Sequence, residues 1–100
     1  MNVTITEEPG RIVATLSGEL DNTASTKAEQ ALAPLFLRDD CDIVIDCREL
    51  EYISSSGLRI LLNIYKHTRK IGHRAILRQV QEDVEDVLRT GGFLQLYEKE

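Results

Sequence analysis

The stretch IVIDCRELEYISSSGLRILL, residues 43–62, decides the fold. It opens on Ile43, Val44 and Ile45, an unbroken β-branched run that reads as a strand buried on both faces, and therefore central in its sheet. It closes on the start of an apolar stripe at helical spacing. Leu58, Leu61, Leu62 and Tyr65 form that stripe, Ile60 and Ile64 widen it, and Arg59, Asn63, Lys66, His67 and Lys70 share the opposite face. A buried strand leading into an amphipathic helix is half of a β–α–β unit. The strand is expected to end at Asp46, with CRELEYI as a short connection. Gly72 is expected to close the helix as a left-handed cap. Three serines and a glycine, Ser54 to Gly57, stand where strand gives way to helix.

Working outward toward the amino terminus, Ala24, Ala28, Ala31, Leu32, Leu35 and Phe36 fall on one helical face. Pro34 lies inside that pattern and predicts a kink or break, because it lacks a donor and crowds the preceding turn. Before this helix, GELDN reads as a loop whose Asp21 and Asn22 suit helix capping. Val3 and Ile5, then Ile12, Ala14 and Leu16, alternate with more polar neighbours about a turn at Pro9 and Gly10, so an antiparallel hairpin opens the chain.

Toward the carboxyl terminus, HRAILRQV supplies a further short strand. Val80, Val84, Val87 and Leu88 mark a third helix ended by Gly91 and Gly92, and Phe93, Leu94 and Leu96 suggest a last edge strand. Strands alternating with helical crossovers imply an α/β fold. The expected architecture is a mixed sheet of four to five strands, opened by an N-terminal antiparallel hairpin and packed with three or more helices, in one domain over residues 1–100.

Composition excludes several functions. The net charge of −5, with acids and bases interleaved throughout, argues against a nucleic-acid partner. No apolar run approaches the roughly 18 residues of a membrane span, and MNVTITEEPG lacks the regions of a signal peptide, so no membrane partner and a cytoplasmic location are expected. Cys41 and Cys47 flank a strand that holds them roughly 20 Å apart, beyond disulfide reach, and read as reduced structural thiols. His67 and His73 stand alone, so no metal site is expected, and no cofactor. The serines lack the glycine of a G-x-S-x-G elbow, no GK[ST] follows them, and no base is placed beside them by sequence. No catalytic constellation emerges, and the chain is not expected to be an enzyme.

A serine at a helix start has two uses. Its hydroxyl can accept hydrogen bonds from the unpartnered N–H groups there, a cap that contributes about 1 kcal/mol. Alternatively it can carry a phosphate, which the same donors and the helix dipole accommodate. Gly57, just inside the helix, lowers helix propensity, which hints that something approaches closely there.

At these residues the sequence resembles the STAS domain, in particular the single-domain anti-sigma-factor antagonists of bacteria. The resemblance runs through SGELDNTAS, IVIDCRELEYISSSGLRILL, the KIG helix end and TGGFLQLYE, nearly the whole chain. It implies a protein that binds an anti-sigma factor which is also a serine kinase, freeing sigma until the antagonist is phosphorylated and a serine phosphatase resets it. The family motif often reads Asp-Ser-Ser/Thr-Gly with the first hydroxyl residue modified. Aligned on Gly57, that residue is Ser55, with Ser54 in the Asp place and Ser56 before the glycine; Ser54 and Ser56 are the alternative acceptors. The family's Gly-x-Leu-Asp segment matches Gly18, Leu20 and Asp21, so the implied partner surface comprises Asp21, Ser54, Ser55, Ser56 and Gly57. Two other readings stay open: a STAS module that docks a partner without phosphorylation, and a receiver-like domain phosphorylated on Asp46 at the end of the central strand.

Overall fold

The computed structural model describes residues 1–100. Strand β1 (Asn2–Glu8) and strand β2 (Arg11–Leu20) form the antiparallel hairpin about Pro9 and Gly10. Helix α1 (Ser25–Leu32) follows and gives way to a 3₁₀ segment, Ala33–Leu37. Pro34 causes the change: it sits in the first turn of that segment, where its missing N–H leaves no gap in a hydrogen-bond ladder. Then come β3 (Asp42–Ile53), α2 (Ser55–Ile71), β4 (Ala75–Arg78), α3 (Glu82–Thr90), the single turn α4 (Phe93–Leu96) and β5 (Glu98–Lys99). The strands lie side by side in chain order, with β1 antiparallel and the rest parallel, so β3 is central as its composition predicts.

Side-chain alternation divides the sheet into two unlike faces. Ile12, Ala14, Leu16, Ile43, Ile45 and Leu77 join the buried residues of the helices in one apolar cluster. The alternate residues Val13, Val44 and Ile76 form a separate buried row on the other face. The same register places there a chain of ion pairs running from β1 toward the carboxyl end: Glu8 to Arg78, Arg78 to Glu100, Glu100 to Arg11. Cys41 and Cys47 are both free and buried, and burial pushes the Cys47 thiol up to about 12.

Five expectations need correction. First, β3 does not end at Asp46 but continues to Ile53, paired with the end of β2. The continuation lacks period-two alternation because the β2/β3 register shifts twice, so its buried residues Cys47, Leu50 and Ile53 come three apart. Asp46 is therefore mid-strand and buried, its carboxylate accepting the Arg48 N–H at 3.0 Å, which removes the strand-end placement a receiver-like acceptor needs. Second, Gly18, Glu19 and Leu20 belong to β2 rather than to a loop. Third, Ala31 and Phe36 are exposed, since the tighter 3₁₀ winding rotates Phe36 off the α-helical stripe. Fourth, α2 buries Gly57, Ile60, Leu61, Ile64 and Thr68, leaving Leu58, Leu62 and Tyr65 half-buried on its flank. Fifth, Phe93 to Leu96 is helical. The buried rings of Phe93 and Tyr97 are one turn apart, the Tyr97 N–H bonds the Phe93 carbonyl at 3.0 Å, and the edge strand is Glu98–Lys99 instead.

Candidate functional site

Parallel strands deliver their carboxyl ends to the same edge of a sheet, where the following loops gather. Leu20 at the end of β2 pairs with Ile53 at the end of β3, and the Ser54 N–H donates to the Leu20 carbonyl at 2.9 Å. The loop Asp21–Ala24 and the start of α2 therefore leave the sheet together. This brings Asp21 and the three serines, distant in sequence, into one neighbourhood.

Gly57 fixes how closely α2 approaches. A Cβ at this position would lie 2.8 Å from Ile53 Cγ1 and 2.8 Å from Leu20 Cγ, both in buried side chains. Glycine here is a packing requirement: the helix start rests directly on the ends of β2 and β3. The close approach hinted at by sequence is thus to the protein's own core. At the other end of α2, Gly72 adopts the left-handed conformation at φ 75°, as its place after the apolar stripe predicts.

The three hydroxyls have different surroundings. Ser54 is the N-cap of α2, 8% exposed, and its Oγ accepts the Gly57 N–H at 3.3 Å. Ser56 donates its proton to Asn22 Oδ1 at 2.7 Å and lies 3.0 Å from Ser54 Oγ. Because the Ser56 proton is already engaged, the Ser54 hydroxyl must donate to Ser56. The result is one directional chain from the Gly57 N–H through Ser54 and Ser56 to Asn22, an arrangement in which each bond polarises the next. Ser55 lies outside this chain. Its side chain is exposed at the first position of α2, between two serines whose hydroxyls are hydrogen-bonded within the protein. No His, Asp or Glu bonds the Ser55 hydroxyl, so nothing in the chain activates it as a nucleophile.

Asp21 is committed to its own loop. Its Oδ1 accepts the Thr23 hydroxyl at 2.7 Å and the Ala24 N–H at 2.9 Å, which hold its carboxyl below the ordinary range. It closes a turn one step before α1, whose N-cap is Ala24 with no side-chain bond, so neither Asp21 nor Asn22 caps the helix itself. Asn22 instead reaches across to Ser56, a role that sequence does not disclose: Asn in a loop before a helix reads as a cap, and only the pairing of β2 with β3 brings α2 within reach. Beside the serines, Tyr52 is half exposed, and an open cleft of about 390 Å³ between α2 and α3 is lined by Leu58, Asp86, Val87, Thr90 and Gly91. The two histidines lie elsewhere and half-buried, His67 on the Arg38 carbonyl at 2.7 Å and His73 on Asp42 Oδ1 at 3.1 Å.

A five-stranded mixed sheet opened by a hairpin, whose central strand hands over to a serine-capped helix, defines the fold class and locates its candidate surface. The chain belongs to the STAS domain family, whose family model matches residues 2–99. Among individual proteins it is 29% identical over 97 residues to BtrV of Bordetella bronchiseptica, a candidate anti-sigma factor antagonist, covering 97% of this chain and 84% of that protein. It is likewise 29% identical over 99 residues to the anti-sigma F factor antagonist of Paenibacillus polymyxa, covering 96% and 85%. The fold matches that of the anti-sigma factor antagonist SpoIIAA in its unphosphorylated form, with TM-score 0.81 at 20% identity over 99% of this chain and 88% of that one. It also matches the phosphorylated form of the Bacillus SpoIIAA, with TM-score 0.74 at 18% identity over 99% and 91%. No helix is long and apolar enough to cross a membrane.

Proposed function

We propose that this chain is an anti-sigma-factor antagonist whose Ser55 hydroxyl accepts a phosphoryl group in a partner switch. The unmodified surface formed by Asp21, Ser55 and Ser56, with the buried Ser54 and Gly57 holding the helix start beneath it, binds an anti-sigma factor. That partner is itself a serine kinase, which transfers the γ-phosphoryl of ATP to Ser55, and a serine phosphatase removes it. The observation that carries this reading is the contrast among the hydroxyls: Ser55 is exposed and outside the hydrogen-bonded chain, while Ser54 and Ser56 are held in it. Support also comes from the relatives described as anti-sigma factor antagonists and from SpoIIAA, known in both phosphorylation states.

The energetics suit a reversible switch. About −1.5 to −2 charges added at a helix start stabilise that helix by roughly 0.3–2 kcal/mol, so the fold tolerates the modification. In a packed interface the same phosphate loses water, and a partner carboxylate at about 4 Å repels each added unit charge by about 4 kcal/mol at an effective dielectric near 20. A hundredfold loss of affinity needs only about 2.7 kcal/mol. One phosphate therefore releases the partner without unfolding the domain.

The test begins by capturing the partner from the native host, identifying it and purifying it. Incubation with ATP followed by phosphopeptide mass spectrometry is expected to place the phosphate on Ser55. Ser55→Ala is expected to keep partner binding and block modification, and Ser55→Asp to weaken binding. Phosphate on Ser54 or Ser56 would overturn the residue assignment. A complex indifferent to ATP would point to a module that docks without phosphorylation.

A further inference from the structure

The charges of this protein are paired in one region and unpaired in another. Every arginine outside α2, and Lys99, has a carboxylate at 3.6 Å or less. The cations without one are Lys27 of α1 and the four of α2: Arg59, Lys66, Arg69 and Lys70. Helix α2 contains no Asp or Glu, in a chain whose net charge is −5. Arg69 is turned onto the Tyr65 ring, with its guanidinium bonding the Tyr65 hydroxyl. The other three, Arg59, Lys66 and Lys70, make no side-chain hydrogen bond or ion pair.

Arg59, Asn63, Lys66 and Lys70 are all exposed and recur at i, i+4, i+7 and i+11, which sets them in single file along the helix. Ser55, four residues before Arg59, heads that file, which spans about 22 Å from Ser55 to Lys70. Beside it α1, the 3₁₀ segment and α2 enclose a groove of about 190 Å³, lined by Leu32, Ala33, Phe36 and Ile60 with Glu29 and Asn63 at its polar positions. Phe36, 38% exposed, leans on His67, and its neighbour Leu37 is 84% exposed.

We propose that this face of α2 docks an acidic amphipathic segment of a protein partner, with an apolar side chain in the groove beside Phe36 and carboxylates on Arg59, Lys66 and Lys70. The docking extends the partner surface from the serines down the length of α2. A phosphate on Ser55 then opposes docking in a second way, by engaging Arg59 one turn below it and withdrawing that cation from the partner. This regulatory half rests on the reading of Ser55 given above; the docking face does not. The observations favour a protein over a polyanion. A mostly apolar groove beside charges that flank it is the anatomy of a protein interface. A single file of cations on an otherwise acidic molecule offers little to the long, uniformly charged surfaces of nucleic acid or lipid.

The experiment places the photocrosslinker benzoylphenylalanine at Asn63, in mid-file, or at Leu58, on the other flank of α2, in the full chain expressed in its native host. Adducts are sequenced. Circular dichroism confirms that each variant is folded. An adduct at position 63 to a protein segment rich in Asp or Glu, lost in the Lys66→Glu/Lys70→Glu variant, supports the proposal. That charge reversal is also expected to lower the affinity of the isolated pair roughly tenfold or more, with the difference shrinking between about 0.05 and about 0.5 M salt. No protein adduct at position 63, an adduct to lipid or nucleic acid, or one indifferent to the charge reversal overturns it. Introducing Ser55→Asp separates the two readings. If the adduct at 63 persists undiminished, the docking face stands and the phosphate switch fails. If only the Leu58 adduct forms and Ser55→Asp abolishes it, the switch stands and the docking face fails.

Discussion

Replacing Gly57 by alanine tests the geometry on which the serine site rests. By propensity alone the change is favourable, since alanine exceeds glycine in a helix by about 0.8–1.0 kcal/mol. The structure predicts the opposite sign. The added Cβ meets Ile53 Cγ1 and Leu20 Cγ at 2.8 Å and Leu20 Cδ2 at 2.9 Å, and these two side chains are 3% and 0% exposed. Neither has solvent to move into. Overpacking of this kind costs about 1–3 kcal/mol. A shift of the helix start also lengthens the bond from the Gly57 N–H to Ser54 Oγ, already 3.3 Å. The net expectation for Gly57→Ala is a loss of about 1–2 kcal/mol. At a urea m-value of about 1–2 kcal/mol/M this lowers the midpoint by roughly 0.5–2 M. A double-mutant cycle then identifies the cause. Leu20→Ala alone costs about 2–5 kcal/mol. In its background two of the three crowding atoms are gone, so Gly57→Ala becomes close to neutral or mildly stabilising, a coupling of about 1 kcal/mol or more. If Gly57→Ala is as stable as the parent, or if the cycle is additive, helix α2 does not rest on Leu20 and Ile53 as described.

Ser54→Ala removes the N-cap and interrupts the hydroxyl chain, and is expected to cost about 1 kcal/mol in chemical denaturation, whereas Ser55→Ala, which touches no internal partner, is expected to change stability by less than about 0.5 kcal/mol. Tyr97→Phe deletes the buried hydroxyl that donates to the Leu61 carbonyl at 2.6 Å and ties the chain end to α2, with an expected loss of about 1 kcal/mol and a fall in Tm of roughly 4–8 °C. The Cys47 thiol, raised by burial from 9.0 to about 12, favours the folded state fully below pH 9.0 and less as pH climbs toward about 12. Denaturation midpoints followed upward from about pH 8 should therefore fall, and fall less steeply for Cys47→Ala. At the acid end the sign reverses. The hydrogen bond from Arg78 holds Glu8 below its ordinary 4.5, and those from Arg11 and Arg78 do the same for Glu100, so their contribution is present above that pH and disappears as pH drops through the lowered values. Arg78→Gln should flatten this acid limb in denaturation curves recorded from about pH 6 to about pH 3.

Sequence by itself determined the elements whose side chains meet a uniform environment. Ile43 to Ile45 lie in the middle of the sheet, so burial on both faces appears as an unbroken apolar run, and α2 is a long regular helix between two caps that local chemistry defines, Ser54 and Gly72. The hairpin at Pro9 and Gly10 and the break at Pro34 are equally local, being consequences of what those residues can and cannot do with their own backbone. The family resemblance likewise singles out Ser55 from a contiguous motif.

Tertiary structure decided whatever depends on residues far apart in the chain. The second half of β3 is invisible to alternation because two register shifts against β2 space its buried residues three apart. The Phe93 turn is helical because Tyr97 must return to Leu61, thirty-six positions earlier. Gly57 reads as a poor helix former until Leu20 and Ile53 are seen beneath it. Asn22 reads as a cap until parallel pairing of β2 and β3 sets it against Ser56, thirty-four residues on. The unpaired state of Arg59, Lys66 and Lys70 is known only once every arginine outside α2 has found its carboxylate and Arg69 has turned onto Tyr65. Periodicity reports the average environment of a segment, while a hydrogen bond, a close approach or an unpartnered charge depends on which segments the fold brings together.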